Sequence, residues 1–201
     1  MKCFIFFLTI FLIPVSSDAS DRCRDYIPDV RASHALYFGP AFPYHYGIGQ
    51  IKQESSCRDR VTAFDQGMGP CQFMPSTSKW IQSLMGQKLD PYNRSDACRM
   101  QAFYMYRIHK KENWTKFLWI DYQIYNGGRG TLYNEYKRAG KVDWKSMKAS
   151  CNRKTIVLKS GKKLDFCEVN YDYSQKVFKY GKSYQIMPDS IPFWGGQNDI
   201  N

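Results

Sequence analysis

Glu54 sits at the end of the run Gly-Ile-Gly-Gln-Ile-Lys-Gln-Glu-Ser-Ser, residues 47–56, and is the side chain best placed to do acid–base chemistry. A lone glutamate is normally a solvated surface residue, so its surroundings decide the matter. Partial desolvation raises a carboxyl pKa, and a carboxyl that keeps its proton near neutral pH can act as a general acid. Lys52 or Arg58 beside it would oppose that shift, so both are expected to point away. Ser55 stands next to the acid, either to touch a ligand or to brace the turn. A metal centre is not expected: the chain has three histidines, His34, His45 and His109, and no closely paired cysteines. No cofactor is expected either.

The spacing around Glu54 is specific. Glu54-Ser55 is followed by Gly69 fifteen residues after the glutamate, by Gln72 at eighteen, by Met74-Pro75, and later by Tyr125-Asn126-Gly127-Gly128. This pattern resembles the soluble-type lytic transglycosylases, a branch of the lysozyme-like superfamily, over roughly residues 44–140, about half of the chain. The resemblance implies a lysozyme-like helical domain, mainly α, with Glu54 as catalytic acid. It also implies that Ser55, Gln72, Met74, Tyr125 and Asn126 contact substrate, with Tyr125 hydrogen-bonded to Glu54. Three positions depart from the pattern. Ala63 stands where the family often has a serine, Pro70-Cys71 precede the glutamine, and Gln123-Ile124 precede Tyr125. These changes touch the positioning of substrate and leave the acid in place.

The implied reaction cleaves the MurNAc-GlcNAc β-1,4 bond of peptidoglycan and forms a 1,6-anhydro ring. One carboxyl suffices because the sugar's own C6 hydroxyl is the nucleophile, and a well-held intramolecular nucleophile reaches effective molarities of about 10⁵ M or more. Glu54 would first protonate the leaving oxygen and then accept the hydroxyl proton. A hydrolase of the same bond would need a second carboxylate, for which Asp59 and Asp65 are nearest in sequence. The assisting aspartates of goose-type lysozymes fall here on Gly67 and Ser78. A non-catalytic wall-binding protein is a third possibility, opposed by the retained acid.

Several elements must hold these residues. Residues 46–56 suit a helix, the Gly- and Gln-rich stretch to Pro75 an ordered loop, and Ser76-Thr77 can cap a helix with Trp80, Ile81 and Leu84 that ends at Gly86. Further helices are expected from Ser95 or Asp96 through Ile108, from about Trp114 to Tyr125, and through Leu132, Tyr133 and Tyr136 to Gly140. Pro28, Pro40 and Pro43 interrupt any long helix before residue 46. The domain is expected over 20–150, followed by a small basic extension, 151–201, carrying a β-hairpin around Ser160-Gly161.

Residues 1–19 read as a secretory signal peptide, with Lys2, a short apolar run from Cys3 to Ile13 and small residues near the boundary. Export to a periplasm or the cell exterior follows, with no stable membrane insertion after cleavage. Without Cys3 the cysteines form an even set, Cys23, Cys57, Cys71, Cys98, Cys151 and Cys167, which suits three disulfides. The hairpin singles out Cys151 with Cys167 as one pair. The chain carries 29 Lys and Arg against 18 Asp and Glu, a formal net charge of +11. That surplus suits a polyanion, and export with disulfides points to an acidic wall polymer rather than nucleic acid. A monomer is expected.

Overall fold

A computed structural model describes residues 21–111, 117–157, 161 and 163–186. The signal peptide expected over 1–19 and the helix start at Trp114 lie outside the described residues, as does the end of the extension. Asp21 caps a 3-10 turn, Arg22–Tyr26, that runs into α1, Ile27–Phe38. Pro28 falls in the first turn of α1, where an amide proton has no intrahelical partner to lose. Pro40 and Pro43 lie in the turn that leads to α2, His45–Ser55. The prolines therefore delimit a helix that the sequence pattern alone did not reveal.

A loop follows, tied by isolated bridges pairing Thr62 with Met68 and Met68 with Phe73. α3, Pro75–Met85, starts one residue earlier than the Ser76-Thr77 cap suggested. Met74 is its extended N-cap and Pro75 its first residue, while Gly86 ends it in a left-handed conformation. Of the apolar trio expected to pack from α3, only Ile81 is buried; Trp80 and Leu84 are exposed. α4 (Arg94–Lys111), α5 (Leu118–Gly127) and α6 (Arg129–Ala139) match the remaining helical patterns. A short α7 spans Trp144–Ala149.

The hairpin pairs β1, Thr155–Val157, antiparallel to β2, Lys163–Asp165, with Ile156 opposite Leu164. The disulfide Cys151–Cys167 closes it. A second disulfide joins Cys23 to Cys57, but Cys71 and Cys98 are free thiols buried in the core, so two bridges form rather than three.

The extension holds a larger surprise. From Phe166 to Lys182 the chain forms α8, whose first turn is capped by Asp165 accepting from the amides of Cys167 and Glu168. Tyr171, Tyr173, Val177 and Phe178 of α8 pack with Tyr46 of α2 and with Trp119, Tyr122 and Ile124 of α5 in one hydrophobic core. Residues 166–182 therefore belong to the helical domain and are not an appendage to it. Among the described residues the chain is mainly α, with one small hairpin. Among the described residues, no helix is long and apolar enough to cross a membrane.

α2 is buried from His45 through Ile51, more than a surface helix requires. Its contact with α8 is unusually close: a Cβ on Gly49 would lie 2.2 Å from the Val177 carbonyl oxygen and 2.6 Å from the Gly181 nitrogen. A Cβ on Gly181 would in turn meet the Tyr46 ring at 2.6 Å. Both glycines are there for space, letting the two backbones touch. Gly49→Ala must force the helices apart, and its expected cost is about 3 kcal/mol of stability, read as a lowered midpoint in urea unfolding. A midpoint like that of the parent chain would mean that the crossing is looser than described.

Candidate active site

Glu54 lies one residue before the end of α2, on the side that faces α8. The hydroxyl of Tyr173 donates to Glu54 Oε1. The same phenol oxygen accepts from Gln50 Nε2 at 3.3 Å, one turn earlier on α2. Gln50 Oε1 accepts from Gln101 Nε2 of α4 at 2.8 Å, and that nitrogen also donates to the Gly47 carbonyl at 3.1 Å. A buried chain of polar groups thus runs from the acid through α8 and back into α2 and α4. Such a network pins the ring and the carboxyl together, because each member left alone would be a costly unpaired group.

Burial is the main influence on Glu54 and pushes its pKa up; the Tyr173 hydrogen bond pulls it back, and the negative charge of Asp65 raises it again. The result is about 7, against an ordinary value of 4.5. Taken as a whole, the Glu54 residue is half-buried at the end of α2. Neither nearby cation spoils this. Arg58 turns its Nε to the Ser55 carbonyl at 2.8 Å, and Lys52 reaches Tyr184 at 2.8 Å on another side of α2. A carboxyl protonated near neutral pH can give up a proton to a ligand that reaches it and take it back.

The folded pKa exceeds the unfolded one, so the protonated form favours the native state. The corresponding stability is full below about pH 4.5 and is lost as pH rises towards and through 7.

The other sequence candidates fall into two groups. Met74, at the head of α3, is 41% exposed and so is open to a ligand. Tyr125, near the end of α5, has its pKa raised first by burial and then by neighbouring groups, among them Cys71 and Glu54, which places it close to the acid. Its hydroxyl donates to the Cys71 carbonyl at 2.8 Å, so the bond expected from Tyr125 to the acid is made by Tyr173 instead. Gln72 has a positive φ of 51° and donates to the Gly69 carbonyl at 2.7 Å, which braces the loop. Asn126 is exposed and donates to Asn170 Oδ1 of α8 at 2.8 Å.

Ser55 is the correction. It is 2% exposed, bonds the Ile51 carbonyl at 3.2 Å and accepts from the Arg58 amide at 3.2 Å. Its hydroxyl braces the end of α2 and does not face a ligand. Asp59 is likewise engaged, accepting from Tyr26 and paired with Arg94 at 3.0 Å.

Two residues the sequence did not single out join the site. Tyr173 is 119 residues from Glu54, beyond any local spacing signal. Trp80, 46% exposed, meets Tyr104 edge-on with centroids 5.9 Å apart. Tyr104 meets Tyr125 at 5.3 Å, and Tyr125 meets Phe73 at 6.0 Å. A run of rings therefore leads from the surface of α3 to the neighbourhood of the acid.

Solved structures share this architecture. The 70-kDa soluble lytic transglycosylase of Escherichia coli superposes with a TM-score of 0.61 at 16% identity, covering 84% of this chain and 26% of its own. An inactive mutant of the lytic transglycosylase Slt of Pseudomonas aeruginosa, altered by one glutamate-to-glutamine change, gives 0.63 at 15%, over 86% and 26%. A complex of the 70-kDa soluble lytic transglycosylase with bulgecin A gives 0.60 at 16%, over 84% and 26%. The chain thus spans about a quarter of the length of these proteins. A scan against protein-family models returns no match, and a search of curated proteins returns none. The fold is that of the soluble lytic transglycosylases, lysozyme-like and helical.

The two influences on Glu54 can be separated. Tyr173→Phe removes a donor to the charged form and raises the pKa of the carboxyl. Asp65→Asn removes a like charge and lowers it. A carbon-detected NMR titration of the Glu54 side chain should show the parent near 7 with the two variants on opposite sides. A shift of the Tyr173 variant to lower pH would show that its hydroxyl does not donate to the carboxylate.

Proposed function

We propose that the protein is a peptidoglycan lytic transglycosylase that cleaves the MurNAc-GlcNAc β-1,4 bond with Glu54 as acid and then base. The observation that carries this is a carboxyl raised to about pKa 7 by burial and held in place by a tyrosine from α8, on the fold of soluble lytic transglycosylases. The inactivation of the Pseudomonas protein by one glutamate-to-glutamine change supports a single essential acid on this fold. The complex of another neighbour with bulgecin A shows that this fold accommodates a ligand.

In the first step, protonated Glu54 donates to the glycosidic oxygen as the bond to the muramyl C1 breaks. The carboxylate so formed is the base for the C6 hydroxyl, which attacks C1 and closes the 1,6-anhydro ring. The proton returns to Glu54, and the cycle ends with the acid as it began. Tyr173 holds the carboxyl in place and limits how far its pKa climbs. Met74 and the exposed face of Trp80 offer apolar surface to the sugar rings. The signal-like leader, the two disulfides and the net charge of +11 support an exported enzyme that works on an anionic wall.

A hydrolytic variant of the reaction rests on one observation: the Asp65 charge reaches Glu54, which gives water a second carboxylate to activate it. The products decide between the two. Digestion of purified peptidoglycan is expected to release muropeptides lighter than hydrolytic ones by one water, absent with Glu54→Gln. Reducing-end products lost in Asp65→Asn would identify a hydrolase instead. No products from the parent chain would end both readings.

Trp80→Ala tests the ring run. Loss of an exposed aromatic contact is expected to raise KM roughly tenfold with kcat little changed. Unchanged steady-state kinetics on soluble glycan strands would remove Trp80 from the binding surface.

A further inference from the structure

A second site lies beyond the acid, on the same helix that supplies its tyrosine. α6, the segment after the Cys151 bridge and the first turn of α8 enclose an open pocket of about 310 Å³. Thr131, Asn134, Glu135 and Arg138 line it from α6, at the spacing of one helical face. Asn152 and Lys154 line the opposite wall, and Phe166 provides an apolar floor.

The charges in this pocket do not cancel. Glu135 is 1% exposed and accepts from the Tyr171 hydroxyl at 2.6 Å, and burial pushes its pKa up. Arg138 is tethered through Nε to the Ser150 carbonyl at 2.7 Å, which holds its guanidinium at the rim. Lys154 has no ion pair among the described residues. The acidic groups around it are already engaged: Asp165 and Glu168 with Arg153, and Glu168 also with Lys148. Among the described residues, the amides of Asn134 and Asn152 have no hydrogen-bond partner. The pocket therefore offers two cations and two free amides to a ligand, while its one carboxyl is occupied.

Its position relative to Glu54 follows from α8. Phe166 lines the pocket, Asn170 accepts from Asn126, and Tyr173 donates to Glu54. These positions, four and seven residues apart, share one face of the helix. From Phe166 to Tyr173 the axis rises about 10 Å. Three extended peptide residues cover about the same span.

We infer that this pocket binds the acidic stem peptide attached to the muramyl sugar, with Lys154 and Arg138 taking its carboxylates and Asn134 and Asn152 its amides. The inference rests on the lytic transglycosylase reading for its substrate. The α8 face itself is covered, with Asn170 1% and Tyr173 4% exposed, so the peptide leaves the sugar at Glu54, passes over the exposed Asn126 and ends in the pocket. Such a site would make peptide-bearing strands better substrates than bare glycan.

The test separates the two claims. Binding is read by NMR with a lactyl stem peptide that lacks its sugar and carries two free carboxylates, and with its bis-amidated form. The acidic peptide is expected to shift the side-chain amides of Asn134 and Asn152. Amidation, or the exposed-site change Lys154→Glu, should weaken it at least tenfold, and Asn134→Ala should weaken it as well. In digests, the ratio of kcat/KM for peptide-bearing over peptide-free strands should fall in Lys154→Glu. No binding, equal affinity for the amidated peptide, or shifts confined to other surfaces would overturn the pocket. Cleavage of peptide-free strands tests the lyase reading alone. A chain that binds the acidic peptide at these amides yet cleaves no glycan would keep the pocket and lose the lyase.

Discussion

The close contact between α2 and α8 governs the rest of the molecule. Gly49 and Gly181 remove the side chains that would separate the two backbones. As α2 advances from Gly49 to Glu54, its contacts on α8 move back from Gly181 through Val177 to Tyr173. The phenol therefore meets the carboxyl a few residues from a crossing that cannot slide without a clash. A pair of side chains held by two packed helices is placed more rigidly than one held by a loop. The same contact desolvates Glu54, so packing and acid strength have one origin.

Charge shows the opposite scale. The chain is strongly basic as a whole, yet the acid is not neighboured by an engaged cation: Arg58 and Lys52 are turned to a backbone carbonyl and to Tyr184. A net charge attracts an anionic polymer over a Debye length, about 8 Å in physiological salt. The pKa of one carboxyl depends on nearer groups. The protein can thus be cationic towards its surroundings while its acid sits in an apolar and slightly negative setting created by burial and Asp65.

The legible parts of the sequence were those with a local signal. The helices from α2 to α6 and the Cys151–Cys167 pair follow from short-range spacing, caps or a turn, whereas Glu54 and Met74 were marked by a motif resemblance. Tyr125 was located by the same means, but its hydroxyl partner was not, because Cys71 and Glu54 are both within reach and only the fold chooses. α8 was hidden by composition. Its Tyr and Val residues suit a strand, and the hairpin just before it biases the whole segment towards β. Asp165, which caps two amides, was the overlooked start signal. Ser55 shows the limit of motif transfer: adjacency to the acid places it on the buried side of α2, since neighbours on a helix point about 100° apart. Cys71 and Cys98 fit an even count, but a count holds no information on which sulfurs meet.

Hiding Tyr173 so far from Glu54 in sequence also has a structural meaning. A local partner on α2 would exist in any helical fragment, whereas Tyr173 reaches the acid only when α8 has docked. The carboxyl is therefore raised, braced and connected to the Gln50–Gln101 chain in one event, the closing of the core around α2. Before that event the glutamate is an ordinary solvated side chain with an ordinary pKa. The raised carboxyl is a property of the completed fold, and the tyrosine that braces it lies in the segment that composition alone would assign to a tail.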